Sequence, residues 1–375
     1  MSAGQGIGVI GLGTMGLGIA QVFASAGFQV MASDAHAPAR GNAAERMASA
    51  LDARVKAGKL MPAERNATLA RFSVVDLAAG LAPCALVIEA IAEDLAAKQA
   101  LFATLERILA PGAILATNTS SIPVQKIAMG LRDPSNLLAL HFFNPPVAMK
   151  LVELAPHGAT LPSVVAAAKQ ICEAAGKTVI ICPDRPGFIV NRCARPFYGE
   201  ALAMLEEGRS AAEVDAAMAA AGYRLGPFSL IDLIGADINL AATEGLYAAM
   251  GNHPRYHPFA ALRAQVAKGK LGRKTGAGFV FPALAQPTPP DASAIALRIE
   301  ATLVNEAHWL LSEGGVTAGG VDTAMRLGLN FPRGPFEALQ RHGRAAILAE
   351  LARLQALASP AMQPRYAAAL GLETR

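Results

Sequence analysis

Ile7-Gly8-Val9-Ile10-Gly11-Leu12-Gly13-Thr14-Met15-Gly16 leads into the apolar-periodic stretch Leu17 to Phe23, and together they read as strand, tight turn and helix. Gly11 permits the turn, Gly13 lets the backbone approach a pyrophosphate, and Gly16 allows close helix–strand packing, so that phosphates meet the positive helix end. Alone, such a glycine pattern is weak. Here Phe28-Gln29-Val30-Met31-Ala32 reads as a second strand, and Asp34 follows at its end, where a carboxylate accepts hydrogen bonds from ribose hydroxyls. That carboxylate repels a 2′-phosphate and favours NAD over NADP; Arg40 lies several residues beyond.

Outward from this turn, residues 1–185 alternate short β-rich runs with helical stretches, the pattern of an α/β Rossmann-type, doubly wound parallel sheet. Ala85 to Ile91, Ile114-Leu115-Ala116 and Val179-Ile180-Ile181 read as further strands. Glu93, Asp94 and Lys98 follow the first of these, at the strand end where ligands of such sheets collect. Thr117-Asn118-Thr119-Ser120-Ser121 follows the second and reads equally as a polar cluster for a substrate oxygen or as a helix cap and turn. Pro183-Asp184-Arg185-Pro186-Gly187 marks a domain boundary, after which the pattern turns helical.

His141-Phe142-Phe143-Asn144-Pro145-Pro146-Val147-Ala148-Met149-Lys150-Leu151-Val152-Glu153 sets an imidazole beside a carboxylate. An imidazole that takes a proton near neutral pH works best when a carboxylate fixes its tautomer and stabilises the imidazolium. The pair therefore reads as a general base and its orienting partner, against the plainer reading of a half-buried histidine and a surface glutamate. An ideal hairpin through Asn144-Pro145-Pro146 places the two side chains on opposite sheet faces, so the pairing is expected to be irregular.

Composition narrows the class. At 375 residues the chain has room for two or three domains with sizeable cores. With 53% hydrophobic and 17% charged residues it is not a disordered chain, and a net charge of +4 with scattered basic residues is no nucleic-acid footprint. Cys84, Cys172, Cys182 and Cys193 lack CxxC spacing and sit among apolar residues, which predicts buried free thiols. His253 and His257 lie beside Pro254 and Pro258 in one loop with no third ligand nearby, so no metal site is expected. Met1-Ser2-Ala3-Gly4 begins no secretory signal and no apolar run has spanning length, so a soluble cytoplasmic protein without membrane or nucleic-acid partners is expected.

The helical half repeats itself. Glu200-Ala201, Glu207-Gly208, Val214-Asp215-Ala216-Ala217-Met218 and Gly226-Pro227-Phe228 recur as Glu306-Ala307, Glu313-Gly314, Val321-Asp322-Thr323-Ala324-Met325 and Gly334-Pro335-Phe336. Matching order and near-constant spacing indicate two tandem all-α copies, 186–284 and 291–375, separated by a Pro-rich break from Ala285 to Asp291. The second copy looks degenerate, because no counterpart of Gly187-Phe188-Ile189-Val190-Asn191-Arg192 precedes it.

Over about its first 280 residues the chain resembles the L-3-hydroxyacyl-CoA dehydrogenase family, including the 3-hydroxybutyryl-CoA dehydrogenases. The resemblance rests on the glycine loop with Asp34, Val87 to Asp94, Asn118-Thr119-Ser120-Ser121, His141 to Pro145, Met149 to Glu153, Pro186 to Arg192 and Leu271-Gly272-Arg273-Lys274-Thr275-Gly276, in order. It implies that His141 exchanges the proton of the substrate 3-hydroxyl, that Glu153 orients His141, and that Ser120 and Asn191 bind the substrate. It also implies NAD held by Gly11, Leu12, Gly13, Thr14, Met15, Gly16, Asp34, Glu93, Lys98, Asn144 and Lys274. An acyl-CoA is the implied substrate, in β-oxidation-type metabolism, and the duplicated helices resemble longer members, as a monomer with an internal pseudo-dimer or as a homodimer. The family's CoA-anchoring Ser and Lys are absent from Ala35-His36-Ala37-Pro38-Ala39-Arg40, while Arg46, Arg54, Lys56 and Lys59 occupy the next helical stretch. A sugar-acid dehydrogenase of the gulonate type and a non-catalytic NAD-binding protein are the alternative readings.

Overall fold

The computed structural model describes residues 6–76, 80–283 and 286–373; Met1 to Gly4 and Ala285, both used in the sequence reading, lie outside them. Contacts divide the chain into two units, Met1–Arg185 and Pro186–Arg375. No helix among the described residues is long and apolar enough to cross a membrane.

The first unit is built on strands β1 (Gly6–Ile10), β2 (Val30–Ser33), β3 (Phe72–Val74), β4 (Cys84–Glu89), β5 (Ile114–Thr117), β6 (Leu137–Phe142), β7 (Leu151–Pro156) and β8 (Thr178–Ile181). Their order is β3-β2-β1-β4-β5-β6-β7-β8, parallel except where β6 meets β7. The order reverses direction at β1, whose other neighbour is β4; such a switch point opens a crevice at the carboxyl strand ends. Apolar runs buried on both faces explain the central strands: Ile7, Val9, Leu86, Ile88 and Leu140 all enter one core with Phe23 and Phe142. Each such side chain contributes about 1.5–3 kcal/mol on burial. β2 starts later than its apolar run suggests, because Gly27 turns at φ 100° and the Phe28 ring packs edge-on against Phe23, 5.7 Å between centroids. β3, short and only half-buried at the sheet edge, carries too weak an apolar signal to be read from sequence.

The expected mismatch of His141 and Glu153 does not occur. β6 and β7 are joined by the long connection Phe143 to Lys150 rather than by a tight hairpin, and His141 stands directly opposite Glu153 in the antiparallel register. Directly opposed residues share a sheet face, so no irregularity is needed.

The second unit is helical. Among its helices are α1 (Arg195–Glu206), α2 (Ala211–Ala220), α3 (Pro227–Ile234), α4 (Ala236–Ala249), α5 (Ala292–Ser312), α6 (Ala318–Leu329), α7 (Pro335–His342) and α8 (Arg344–Leu357). α5 is covered on most sides and buries Arg298, Glu300, Asn305 and Glu306 with its apolar residues, which is tolerable only if each polar group finds a partner. The partners come in matched sets. Arg192 donates to Glu306 and Glu313, and Arg298 donates to Glu200 and Glu207. Arg255 and the Tyr256 hydroxyl meet Glu306, as Arg365 and the Tyr366 hydroxyl meet Glu200. Burial pushes the Glu200 carboxyl up, but Arg365 and Arg298 outweigh it and hold it below the usual carboxylate range.

The repeated Asp-and-Gly-Pro segments also make the same contacts. Asp215 accepts the backbone N–H groups of Phe228 and Ser229, and Asp322 those of Phe336 and Glu337, capping the helices that begin at Pro227 and Pro335. The glycine before each proline is obligatory: a Cβ on Gly226 or Gly334 would lie 2.4 or 2.2 Å from the capping aspartate.

Candidate active site

The glycine turn joins β1 to the helix Thr14–Ser25. Its three glycines serve different ends. A Cβ on Gly11 would meet the Ala90 carbonyl at 2.5 Å, and one on Gly16 the Gly11 carbonyl at 1.7 Å, so both are fixed by backbone packing. Gly13 has an ordinary φ of −67° and nothing within 4 Å of its would-be Cβ. Bare space at the helix N-terminus is what an approaching diphosphate requires, and these residues fit a dinucleotide. Asp34 accepts the Leu12 N–H at 2.6 Å and the His36 N–H at 2.8 Å, which ties the end of β2 to the loop. Arg46 donates to the Leu12 carbonyl at 2.8 Å. Arg46, half-buried on the next long helix, reaches back to hold the turn.

Beyond β4 lies a polar cluster. Glu89, wholly buried, accepts from the Lys98 ammonium at 2.6 Å, the Thr117 hydroxyl at 2.8 Å and the Ile91 N–H at 2.7 Å. Lys98, 1% exposed, also pairs with Glu93 at 3.3 Å. Glu93 accepts the Thr119 and Ser121 hydroxyls and the backbone N–H groups of Ser120 and Ser121, and so shapes the loop that carries the exposed Ser120. Burial raises the Glu93 carboxyl, but Thr119, Lys98 and Ser121 outweigh it and hold it below the usual range. Asn118 in the same loop accepts the Phe142 N–H at 2.8 Å, joining the loop to the residue after His141.

His141 Nδ1 lies 2.7 Å from Glu153 Oε2, with His141 7% exposed and Glu153 fully buried. A carboxylate on Nδ1 fixes the tautomer and directs any proton exchange to Nε2. Asn144 is exposed just beyond β6. The turn that follows is clamped by Lys177, whose ammonium donates to the Pro146 carbonyl at 2.6 Å and the Met149 carbonyl at 2.8 Å. Pro146 rests on Gly18 of the helix Thr14–Ser25, where a Cβ would lie 2.9 Å from the ring. The sequence reading missed Lys177; a lone lysine opening the apolar run of β8 was its only signal.

Asn191 and Lys274 belong to the second unit. Asn191 is half-buried in the short helix Val190–Cys193, and the exposed Lys274 donates to Asp237 at 2.6 Å. All four cysteines are buried and free.

A family model described as the NAD-binding domain of 3-hydroxyacyl-CoA dehydrogenase matches residues 6–185, and the model of that enzyme's C-terminal domain matches 187–281 and 295–371. The chain belongs to the 3-hydroxyacyl-CoA dehydrogenase family. It is 44% identical to a 3-hydroxyadipyl-CoA dehydrogenase of Escherichia coli over 73% of this chain and 58% of that relative. It is 37% identical to a 3-hydroxybutyryl-CoA dehydrogenase of Mycobacterium tuberculosis over 73% of this chain and 97% of that one. The solved structure of a 3-hydroxybutyryl-CoA dehydrogenase from Escherichia coli superposes with a TM-score of 0.91 at 33% identity, covering 98% of this chain and 97% of that one. As a member of this NAD-dependent oxidoreductase family, the chain carries its NAD-binding domain in the first unit.

Proposed function

We propose that the chain interconverts (S)-3-hydroxyacyl-CoA and 3-oxoacyl-CoA, with His141 as the general base. The observation that carries this reading is the buried, in-register His141–Glu153 pair, 2.7 Å apart, at the carboxyl end of β6. Bound NAD supplies the hydride acceptor. His141 Nε2 takes the 3-hydroxyl proton in oxidation and returns it in reduction; Glu153 fixes the tautomer and steadies the imidazolium. Ser120 hydrogen-bonds the reacting oxygen and Asn191 binds the substrate. Gly11 to Gly16, Asp34, Glu93, Lys98, Asn144 and Lys274 serve the dinucleotide; Lys98 acts through the carboxylates that cover it, and Lys274 is steadied by Asp237.

Segments 186–284 and 291–375 are read as two copies of one helical domain. The reciprocal pairing of Arg192 with Glu306 and Arg298 with Glu200, and the C-terminal family model matching both segments, support that reading.

NADH formation from (S)-3-hydroxybutyryl-CoA and a longer 3-hydroxyacyl-CoA tests the reaction. His141→Gln should lower kcat by roughly 10²- to 10⁴-fold with little change in thermal midpoint. Undiminished turnover in that variant would remove His141 from the chemistry.

A further inference from the structure

The buried and half-buried arginines that face the core of the second unit are of two kinds. Arg192, Arg255, Arg298, Arg333 and Arg365 each pair with a buried glutamate on α1 or α5. Arg195, 7% exposed, pairs with none among the described residues. Its Nε donates to the Asn191 carbonyl at 3.0 Å, and its Nη1 to the Thr243 hydroxyl at 2.9 Å and the Asn239 carbonyl at 3.4 Å. The Tyr198 ring lies 4.9 Å from its Cζ. These are neutral partners, and Nη2 makes no hydrogen bond among the described residues.

A buried guanidinium without a counter-charge costs stability, and its persistence calls for an anion that arrives from outside. Two further observations place that need beside substrate. Arg195 is bonded directly to Asn191, the substrate-binding residue of the proposed function. On α4, Asn239 is 2% exposed and its side-chain oxygen has no partner; with the carboxamide turned over, its amide hydrogens face that space and can donate to an anion.

We propose that Arg195 receives a second anionic group on the substrate, the terminal carboxylate of a 3-hydroxydicarboxylyl-CoA, and thereby selects such acyl chains over those ending in methyl. This rests on the 3-hydroxyacyl-CoA reading and extends it. The guanidinium fork is the group best shaped for a carboxylate, and Nη2 is the arm left to offer. The chemistry matches that in the name of the 44% identical relative, a 3-hydroxyadipyl-CoA dehydrogenase.

The test compares kcat/KM for 3-hydroxyadipyl-CoA and 3-hydroxyhexanoyl-CoA, which differ only in the terminal group, in the wild type, Arg195→Gln and Arg195→Lys. A charge-assisted contact predicts a wild-type ratio of roughly 10- to 100-fold in favour of the adipyl substrate, falling to about 1 in Arg195→Gln and part-way in Arg195→Lys. Arg195→Lys also keeps the test open if the glutamine variant fails to fold. Equal losses on both substrates would make Arg195 a brace for Asn191 and overturn the proposal. So would a wild type that turns over both alike, leaving the dehydrogenase reading intact. A wild type inactive on both would overturn that reading as well.

Discussion

The two units bury charge in different ways. In the first, Glu89 and Glu93 draw most of their hydrogen bonds from hydroxyls and backbone N–H groups close by at the strand ends, and the one ammonium among them, Lys98, comes from the next helix. In the second, Glu200 and Glu306 are held by arginine and tyrosine side chains from distant segments: Arg192 reaches Glu306 across 114 residues, and Arg365 reaches Glu200 across 165. Local charge shapes a loop, whereas distant charge decides which helices meet. The first arrangement shapes the loop that carries Ser120, and the second ties together the helices of the second unit.

The sharpest way to break this comparison is to remove one arginine from each matched set. Arg192→Met leaves Glu306 with fewer partners in a fully buried site, and truncating one member of such a pair typically costs about 3–5 kcal/mol. Arg298→Met does the same to Glu200, and if the two segments are copies of one domain the two losses should agree within about 1 kcal/mol. Urea midpoints measure both. A loss confined to one variant would mean that the sets are unequal and would undo the duplication reading.

Substitution at the glycine turn sharpens the other side. Gly13→Ala meets no atom and needs no unusual φ, so the fold should keep its thermal midpoint while the methyl takes space a diphosphate needs. We expect about a tenfold weaker NADH affinity, near 1.4 kcal/mol, by fluorescence titration. Unchanged affinity would mean that the dinucleotide is not held at this turn.

What could be read from sequence follows the same division. The glycine turn, Asp34 and the His141–Glu153 spacing were legible because strand and turn chemistry is local. The shared face of His141 and Glu153 was misjudged because it depends on a register set by the whole β6–β7 connection. The repeat was visible in its glycines and acids, but not the partners of those acids. The recurring Pro254-Arg255-Tyr256 and Pro364-Arg365-Tyr366 went unnoticed because their spacing departs from that of the rest, and Arg298 because its neighbours lack the Asn that precedes Arg192. Long-range pairing of buried charge leaves no local pattern.

Lys177 gives the finest distinction, since in the first unit its buried ammonium has only backbone carbonyls for partners, as Arg195 has only neutral ones in the second. Burial pushes the Lys177 ammonium down to about 8, against an ordinary value of about 10.4. Between those values the unfolded chain holds a proton that the folded one has released, so this group makes stability rise with pH through that window and adds no slope below it. The neutral amine still has hydrogens for both carbonyls, so deprotonation does not cancel the gain. The buried thiols act in the opposite sense: burial raises Cys84 and Cys172 to about 12, so they stay protonated in the fold after the unfolded chain has ionised, and stability falls as pH rises above about 8.5. The net slope of the wild type therefore mixes both, and the difference between wild type and Lys177→Met isolates the lysine. Urea midpoints at intervals from pH 7.5 to 10 should show the wild type gaining on the variant as pH rises. A difference that stays flat would mean that Lys177 keeps its proton throughout, and that the carbonyl clamp compensates a buried cation as fully as the carboxylates do in the second unit.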